Sequence, residues 1–202
     1  MTASNTEIAN LSLSHLGIGV AIGNLDTERS AEALACRTFY EQARRQTLRD
    51  YDWTFAHKIV ALGLVTTEPD DEWAYSYQYP SDCLKFRRIQ SGIRNDNKQS
   101  AIPYRIIYGA SAREIYTDLA DAVGEYTVDV TSVSRFTDDF VMAMSLRLAA
   151  YIAPRLTGGD PFKVGERAMR LYTYEVGLAA ANSENEQQRE QEPEAELIRA
   201  RE

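Results

Sequence analysis

Apolar residues recur every three to four positions up to residue 51, every second position from 53 to about 133, and every three to four again from 137. That double change of period admits few folds: helices at both ends of the chain and short strands between them. Ser4 or Asn5 caps a first helix predicted over 5–16, with Ile8, Leu11 and His15 or Leu16 on one face. Gly17, Gly19 and Gly23 then open an apolar loop. No strand precedes them and no Lys-Ser/Thr follows, so they do not make a phosphate-binding loop. A longer helix is predicted over 27–51, with Asp26 or Thr27 as its cap. Its buried face is Ala33, Cys36, Phe39, Tyr40, Ala43, Thr47 and Tyr51, which leaves Arg37, Glu41, Arg44, Arg45 and Arg49 on other faces.

Strands are predicted at 59–62, 75–79, 84–90, 104–108, 114–117 and 126–133, with polar turns at 68–71, 95–98 and 121–124. Thr137 or Asp138 caps the next helix, which is apolar all round and is therefore expected between other elements. Pro154 should end or kink it near Ala153. Gly158 and Gly159 break the chain, Asp160 caps a last helix, and Pro161 takes its first position. Its buried stripe is Phe162, Gly165, Ala168 or Met169, Tyr172, Val176 and Ala179. The expected class is α+β: an antiparallel helical bundle from N- and C-terminal helix pairs (1–52 and 137–181), an inserted small antiparallel β domain (53–136) and an extended acidic C-terminal tail (182–202).

The net charge of -8 argues against nucleic acid as the main partner, because phosphate binding needs a basic surface. Half of that excess lies in 182–202, which carries seven Glu and three Arg. A segment of this composition buries too little apolar surface to order alone, and 194–201 is expected to fold on a partner. No apolar run approaches the roughly 18 residues that span a bilayer, so no membrane partner is expected. The amino terminus lacks the basic patch and apolar stretch of a signal peptide, which points to synthesis in a cytoplasm. Cys36 and Cys83 are read as free thiols. His15 and His57 share no ligand spacing with each other or with the cysteines, so neither metal nor cofactor is expected.

The candidates for chemistry are weak. Asp70, Asp71 and Glu72, with Glu114, could be nominated as a glycosidase-like carboxylate pair, but 70–72 reads as a solvated acidic turn. Ser81-Asp82-Cys83 sets a nucleophile beside an acid without a histidine in a triad context, and a turn explains it better. No catalytic residue is nominated. The densest feature is Trp73-Ala-Tyr-Ser-Tyr-Gln-Tyr-Pro-Ser-Asp-Cys, with Trp73, Tyr75, Tyr77 and Tyr79 alternating along a strand. It is either a half-buried strand or a contact with another subunit, where Tyr and Trp are enriched. The interface candidates are Arg44, Arg45 and Arg49 on the second helix, Trp73, Tyr75 and Tyr77 on this strand, and Glu194, Leu197, Ile198 and Arg199 in the tail.

Several segments together resemble a known family. These are Glu-Ala-Leu-Ala-Cys-x-x-x-Tyr at 32–40, Leu48, Trp53-Thr-Phe-Ala, Trp73-x-Tyr-x-Tyr-x-Tyr-Pro-Ser-Asp-Cys-Leu at 73–84, Ile115-Tyr116-Thr117, and Phe140 opening an Ala/Leu-rich helix. Over about residues 5–180 the chain resembles the head-to-tail adaptors of short-tailed bacteriophages, the tail tubular protein A family. The resemblance implies a structural virion protein at the head–tail junction. It would self-associate as a twelve-fold ring docked between the portal protein and the tail nozzle protein, with DNA crossing the lumen without specific binding. It assigns the portal contact to the helices and 182–202, and the nozzle side to loops around 66–72 and 92–101. An alternative is a tail-associated peptidoglycan hydrolase, which a zymogram of the purified protein would detect.

Overall fold

The computed structural model describes residues 4–66, 69, 72–93, 101–109, 112–160 and 162–186. These form helices α1 (Asn5–His15), α2 (Ala31–Asp50), α3 (Asp138–Leu156) and α4 (Val164–Glu186). Between α2 and α3 run strands β1 (His57–Ala61), β2 (Tyr75–Gln78), β3 (Cys83–Ile89), β4 (Tyr104–Tyr108), β5 (Arg113–Thr117) and β6 (Val123–Val128).

Local hydrogen bonding sets the helix ends. Ser4 and Glu7 cap α1 reciprocally, the Ser4 hydroxyl accepting from the Glu7 amide and the Glu7 carboxylate from the Ser4 amide. α2 begins later than predicted because residues 24–29 are held in another conformation. The Asn24 side chain accepts from the amides of Asp26 and Thr27, and Arg37 donates to the carbonyls of Asp26 and Glu28. Ser30 is therefore the cap, accepting from the Ala33 amide. Pro154 does not end α3, which continues to Leu156. It lies in the last turn, and the amides of Thr157 and Gly159 close that turn on the carbonyls of Ala153 and Pro154. α4 starts at Val164, while Pro161 lies outside the described residues. Asp160, at φ 61°, caps α4 from a distance, its carboxylate accepting from the amides of Val164 (2.7 Å) and Gly165 (2.9 Å).

The expected arrangement of N- and C-terminal helix pairs around one inserted sheet is not what forms. α1 and α2 scarcely meet; each packs on α3, and α4 packs on α3 as well. The cause lies in residues 16–30. This loop folds back along α1, where Asn10 exchanges hydrogen bonds with Ile22 and Thr6 accepts from the Leu25 amide. Ile22 and Leu25 are buried in the helical core, so loop side chains join it where a helical hairpin would bring α2 onto α1. α3 supplies a surface on every side: Phe140, Met144, Leu148 and Ile152 are buried, and so are Leu146, Ala149 and Ala153.

The strands make two antiparallel sheets, in the orders β1-β6-β3 and β2-β5-β4. β6 begins at Val123 and stops at Val128, so the stretch 126–133 is only partly strand; Val133–Arg135 turns as a 3-10 helix toward α3. The two sheets share a second core in which Tyr77 and Ile115 of one meet Phe86, Ile89 and Tyr126 of the other. Phe86 and Tyr104 touch edge to face across it, with ring centres 5.0 Å apart. Gly124 permits this approach, because a β-carbon there would lie 2.8 Å from both Leu62 and Phe86 side chains.

Charge joins the sheets to the helices. Lys85 of β3 donates to the Arg49 carbonyl (2.9 Å), and Arg87 donates to the Tyr51 carbonyl (2.6 Å) and to that of Leu48 (3.3 Å). The last carbonyls of a helix have no partner within it, and cations suit that negative end. Burial, with Arg87 and Arg49 nearby, pulls the Lys85 pKa below its ordinary value.

Gly165 marks a close approach of α4 to α3. A β-carbon there would sit 2.7 Å from Ala153 Cβ and 3.2 Å from the Ala150 carbonyl oxygen. Gly165→Ala is expected to lower stability by about 1–3 kcal/mol through overpacking, although alanine favours helix by about 1 kcal/mol. A urea titration checks it; an unchanged or higher midpoint would show that the two helices part without cost.

Candidate functional site

The three arginines of α2 have different fates. Arg44 is 2% exposed, so the amphipathic pattern that set it on a solvated face misplaces it. Its guanidinium donates to Asp129 Oδ1 (2.6 Å), to the Val130 carbonyl and to Glu41. Burial alone would lower its pKa, but the hydrogen bonds to Glu41 and Asp129 outweigh it and hold the pKa above the ordinary arginine value. Arg45 is exposed and reaches Asp129 Oδ2 at 3.4 Å. Arg49 is exposed, and its side chain makes no ion pair among the described residues. Arg45 and Arg49 line a cleft of about 350 Å³ with Glu41, Gln42, Gln46 and Leu84. The second basic cluster is committed elsewhere: Lys85 and Arg87 close the end of α2, and Arg88 pairs with Glu125.

The aromatic strand divides in the same way. Tyr77 is buried, its hydroxyl donating to the Leu119 carbonyl (2.9 Å) and accepting from the Ala122 amide (3.3 Å). Tyr75 and Trp73 are half-buried, and the Tyr75 ring lies 6.4 Å from that of Tyr77. Simple alternation fails at Ser76, which is buried like its neighbour because its hydroxyl donates to Glu114. Of the tail candidates, Glu194, Leu197, Ile198 and Arg199 lie outside the described residues.

One surface escaped the sequence reading. Leu171, Tyr174 and Leu178 stand 42%, 62% and 40% exposed at three- and four-residue spacing along α4. They form a second apolar row, distinct from the buried one through Ala168, Tyr172 and Ala179. Phe162, just ahead of the helix, is also exposed. The spacing was present in the sequence, but one apolar stripe already accounted for the helix.

The chemical candidates are occupied structurally. Asp82 accepts from Lys58 (2.6 Å) and from the Tyr126 hydroxyl (2.8 Å), and chiefly Lys58 holds its pKa below the usual carboxylate value. Cys83 donates to the Tyr79 hydroxyl, and burial pushes its thiol pKa up; that of Cys36 is pushed up to about 11, mainly by burial. Arg113 and Arg87 near Cys83 favour its thiolate, but burial outweighs them, so neither cysteine is set up as a reactive thiolate. Glu72 faces Arg105 and Glu114 accepts from Ser76, while Asp70 and Asp71 lie outside the described residues. Among the described residues His15 and Ser145 form the one Ser–His pair, with Nε2 and Oγ 3.0 Å apart. The Ser145 hydroxyl has one proton, and the Met142 carbonyl at 2.8 Å competes with His15 for it. No carboxylate orients His15 among the described hydrogen bonds and ion pairs, so the pair lacks the third member of a triad. Burial also lowers the His15 pKa. No protein-family model and no curated protein matches the chain.

Proposed function

We propose that this protein is a structural virion component, a head-to-tail adaptor whose copies form a ring between the portal and the tail nozzle of a short-tailed phage. The observation that carries the assembly is the outer row of α4, with Leu171, Tyr174 and Leu178 exposed on a helix whose other face is already packed on α3. Contiguous apolar rows of this kind mark protein contacts rather than ordinary surface. The segments at 32–40, 53–56 and 73–84 support the phage family. A closed ring needs two different faces meeting repeatedly. The α4 row provides one of them, and the α2 cleft with Arg45 and Arg49 is a separate basic surface suited to an acidic partner segment.

The test is reconstitution with the portal protein of the phage that encodes this chain. The isolated chain is expected to be monomeric and to form a discrete ring only on the portal, by size-exclusion chromatography and negative-stain imaging. Leu171→Asp combined with Leu178→Asp should leave the circular dichroism unchanged, since both positions are exposed, and should abolish the ring. A chain that ignores the portal, or a double variant that assembles as well as the parent, overturns the reading.

A further inference from the structure

Three metal-competent side chains from separate segments converge where α2 meets the first sheet. Asp52 follows α2, His57 opens β1, and Glu125 lies in β6. In the β1–β6 pairing His57 stands opposite Thr127, which puts Glu125 two residues away on the same sheet face. His57 Nδ1 is 3.8 Å from Asp52 Oδ2, and His57 Nε2 is 3.6 Å from Glu125 Oε1. One ligand atom from each of the three lies within 4.8 Å of the others.

These separations are too long for hydrogen bonds, which run to about 3.2 Å. Each carboxylate is nearest a different ring nitrogen, and an ion takes only one of them, so a shared ion requires small side-chain rotations that bring ligand atoms now within 4.8 Å of one another to the spacing of about 3.4 Å in a tetrahedral site. The atoms are also held with their lone pairs unspent. Glu125 is 3% exposed, and its described hydrogen bonds, from Arg88 (2.9 Å) and Gln90 (3.4 Å), both go to Oε2. That leaves Oε1 turned toward His57. Asp52 Oδ1 is buried without a hydrogen bond, and its nearest cationic group, Arg87 Nε, is 3.7 Å away.

We propose that Asp52, His57 and Glu125 bind one divalent transition-metal ion of the zinc class, with water completing the coordination. One imidazole and two carboxylates suit zinc better than calcium or magnesium, which take all-oxygen sites. Arg87 and Arg88 oppose any cation, so the site must hold its ion through the imidazole bond and geometry rather than net negative charge. Arg88 also fixes the Glu125 carboxylate from behind, as outer partners of metal ligands do. His57 also borders a cleft of about 430 Å³ with Lys58, Asp129 and Arg135. The role is structural: the ion ties the end of α2 to β1 and β6. The site stands independently of the adaptor proposal.

The full-length protein, stripped with EDTA, is titrated with zinc chloride by calorimetry and followed by thermal melting. One zinc per chain and a higher Tm are expected, while magnesium at the same concentration gives no shift. His57→Ala and Asp52→Asn should each weaken zinc binding more than tenfold, with circular dichroism unchanged. Cobalt in place of zinc should give the visible bands of a tetrahedral site in the parent and lose them in both variants. No stoichiometric zinc in the parent overturns the site, whatever the variants do. Zinc binding that survives both substitutions also overturns it, because the ion is then elsewhere.

Discussion

Trp53→Ala is expected to destabilise the protein by about 3–5 kcal/mol, the range for deleting a large buried aromatic. For a chain of this size each kcal/mol lowers Tm by about 2–4 °C, so the loss should exceed about 6 °C. Trp53 is 3% exposed and stands where three segments meet. Its ring meets Tyr51 and Phe140 edge to face, each at 5.1 Å, and Phe55 at 6.3 Å. The indole N–H donates to the Thr47 carbonyl at 2.8 Å, in the last turn of α2. Phe55, Phe136 and Phe140 complete the cluster, so removing the indole opens the end of α2, the 3-10 turn Thr54–Ala56 and the start of α3 together. Trp53→Phe separates packing from hydrogen bonding: it keeps an aromatic ring, loses the bond to Thr47, and should cost about 1–2 kcal/mol. Urea unfolding followed by circular dichroism measures both. A cost below about 1 kcal/mol for Trp53→Ala would mean that the cluster collapses around the gap and is not the hinge of the fold.

The element types were readable because each rests on local pattern. The capping box at Ser4–Glu7, the apolar surface all round α3 and the strands β2 to β5 follow from neighbours within a few residues. Errors arose where a distant or unpatterned contact decided. Asn24 and Arg37 delayed α2, and the burial of Ile22 and Leu25 kept α1 from pairing with it. The return of β6 between β1 and β3 split the strands into two sheets, a pairing that period-two alternation cannot specify. The same register brings Glu125 to His57, 68 positions apart in sequence numbering, so no ligand spacing could have announced that cluster. The aromatic run at 73–79 was legible as a strand, but which tyrosine is buried depended on the carbonyl of Leu119 and the amide of Ala122.

Arg44 shows what such a long-range contact is worth. Arg44→Ala is expected to cost about 3 kcal/mol, combining a core cavity with a lost charge-assisted hydrogen bond of about 1.5–3 kcal/mol to a buried carbonyl. Breaking a fully buried ion pair can cost 3–5 kcal/mol because a charge is stranded, but that term is reduced here. Asp129 and Glu41 are 33% and 68% exposed, so water replaces the guanidinium on both. The acceptor that water reaches poorly is the Val130 carbonyl, whose bond to Arg44 is buried. Arg44→Met keeps most of the side-chain volume, leaves only that carbonyl unpaired, and should cost about 1–2 kcal/mol. Arg44→Glu sets a buried carboxylate against Asp129 and Glu41 and should prevent folding at ordinary temperature. Chemical denaturation of the monomer orders the three variants. If Arg44 instead served a partner, as its place among the α2 arginines first suggested, Arg44→Ala would leave monomer stability within about 0.5 kcal/mol, as surface changes do, and impair only assembly. The opposite pattern is expected for Arg49→Ala, whose exposed side chain has no ion pair among the described residues to lose.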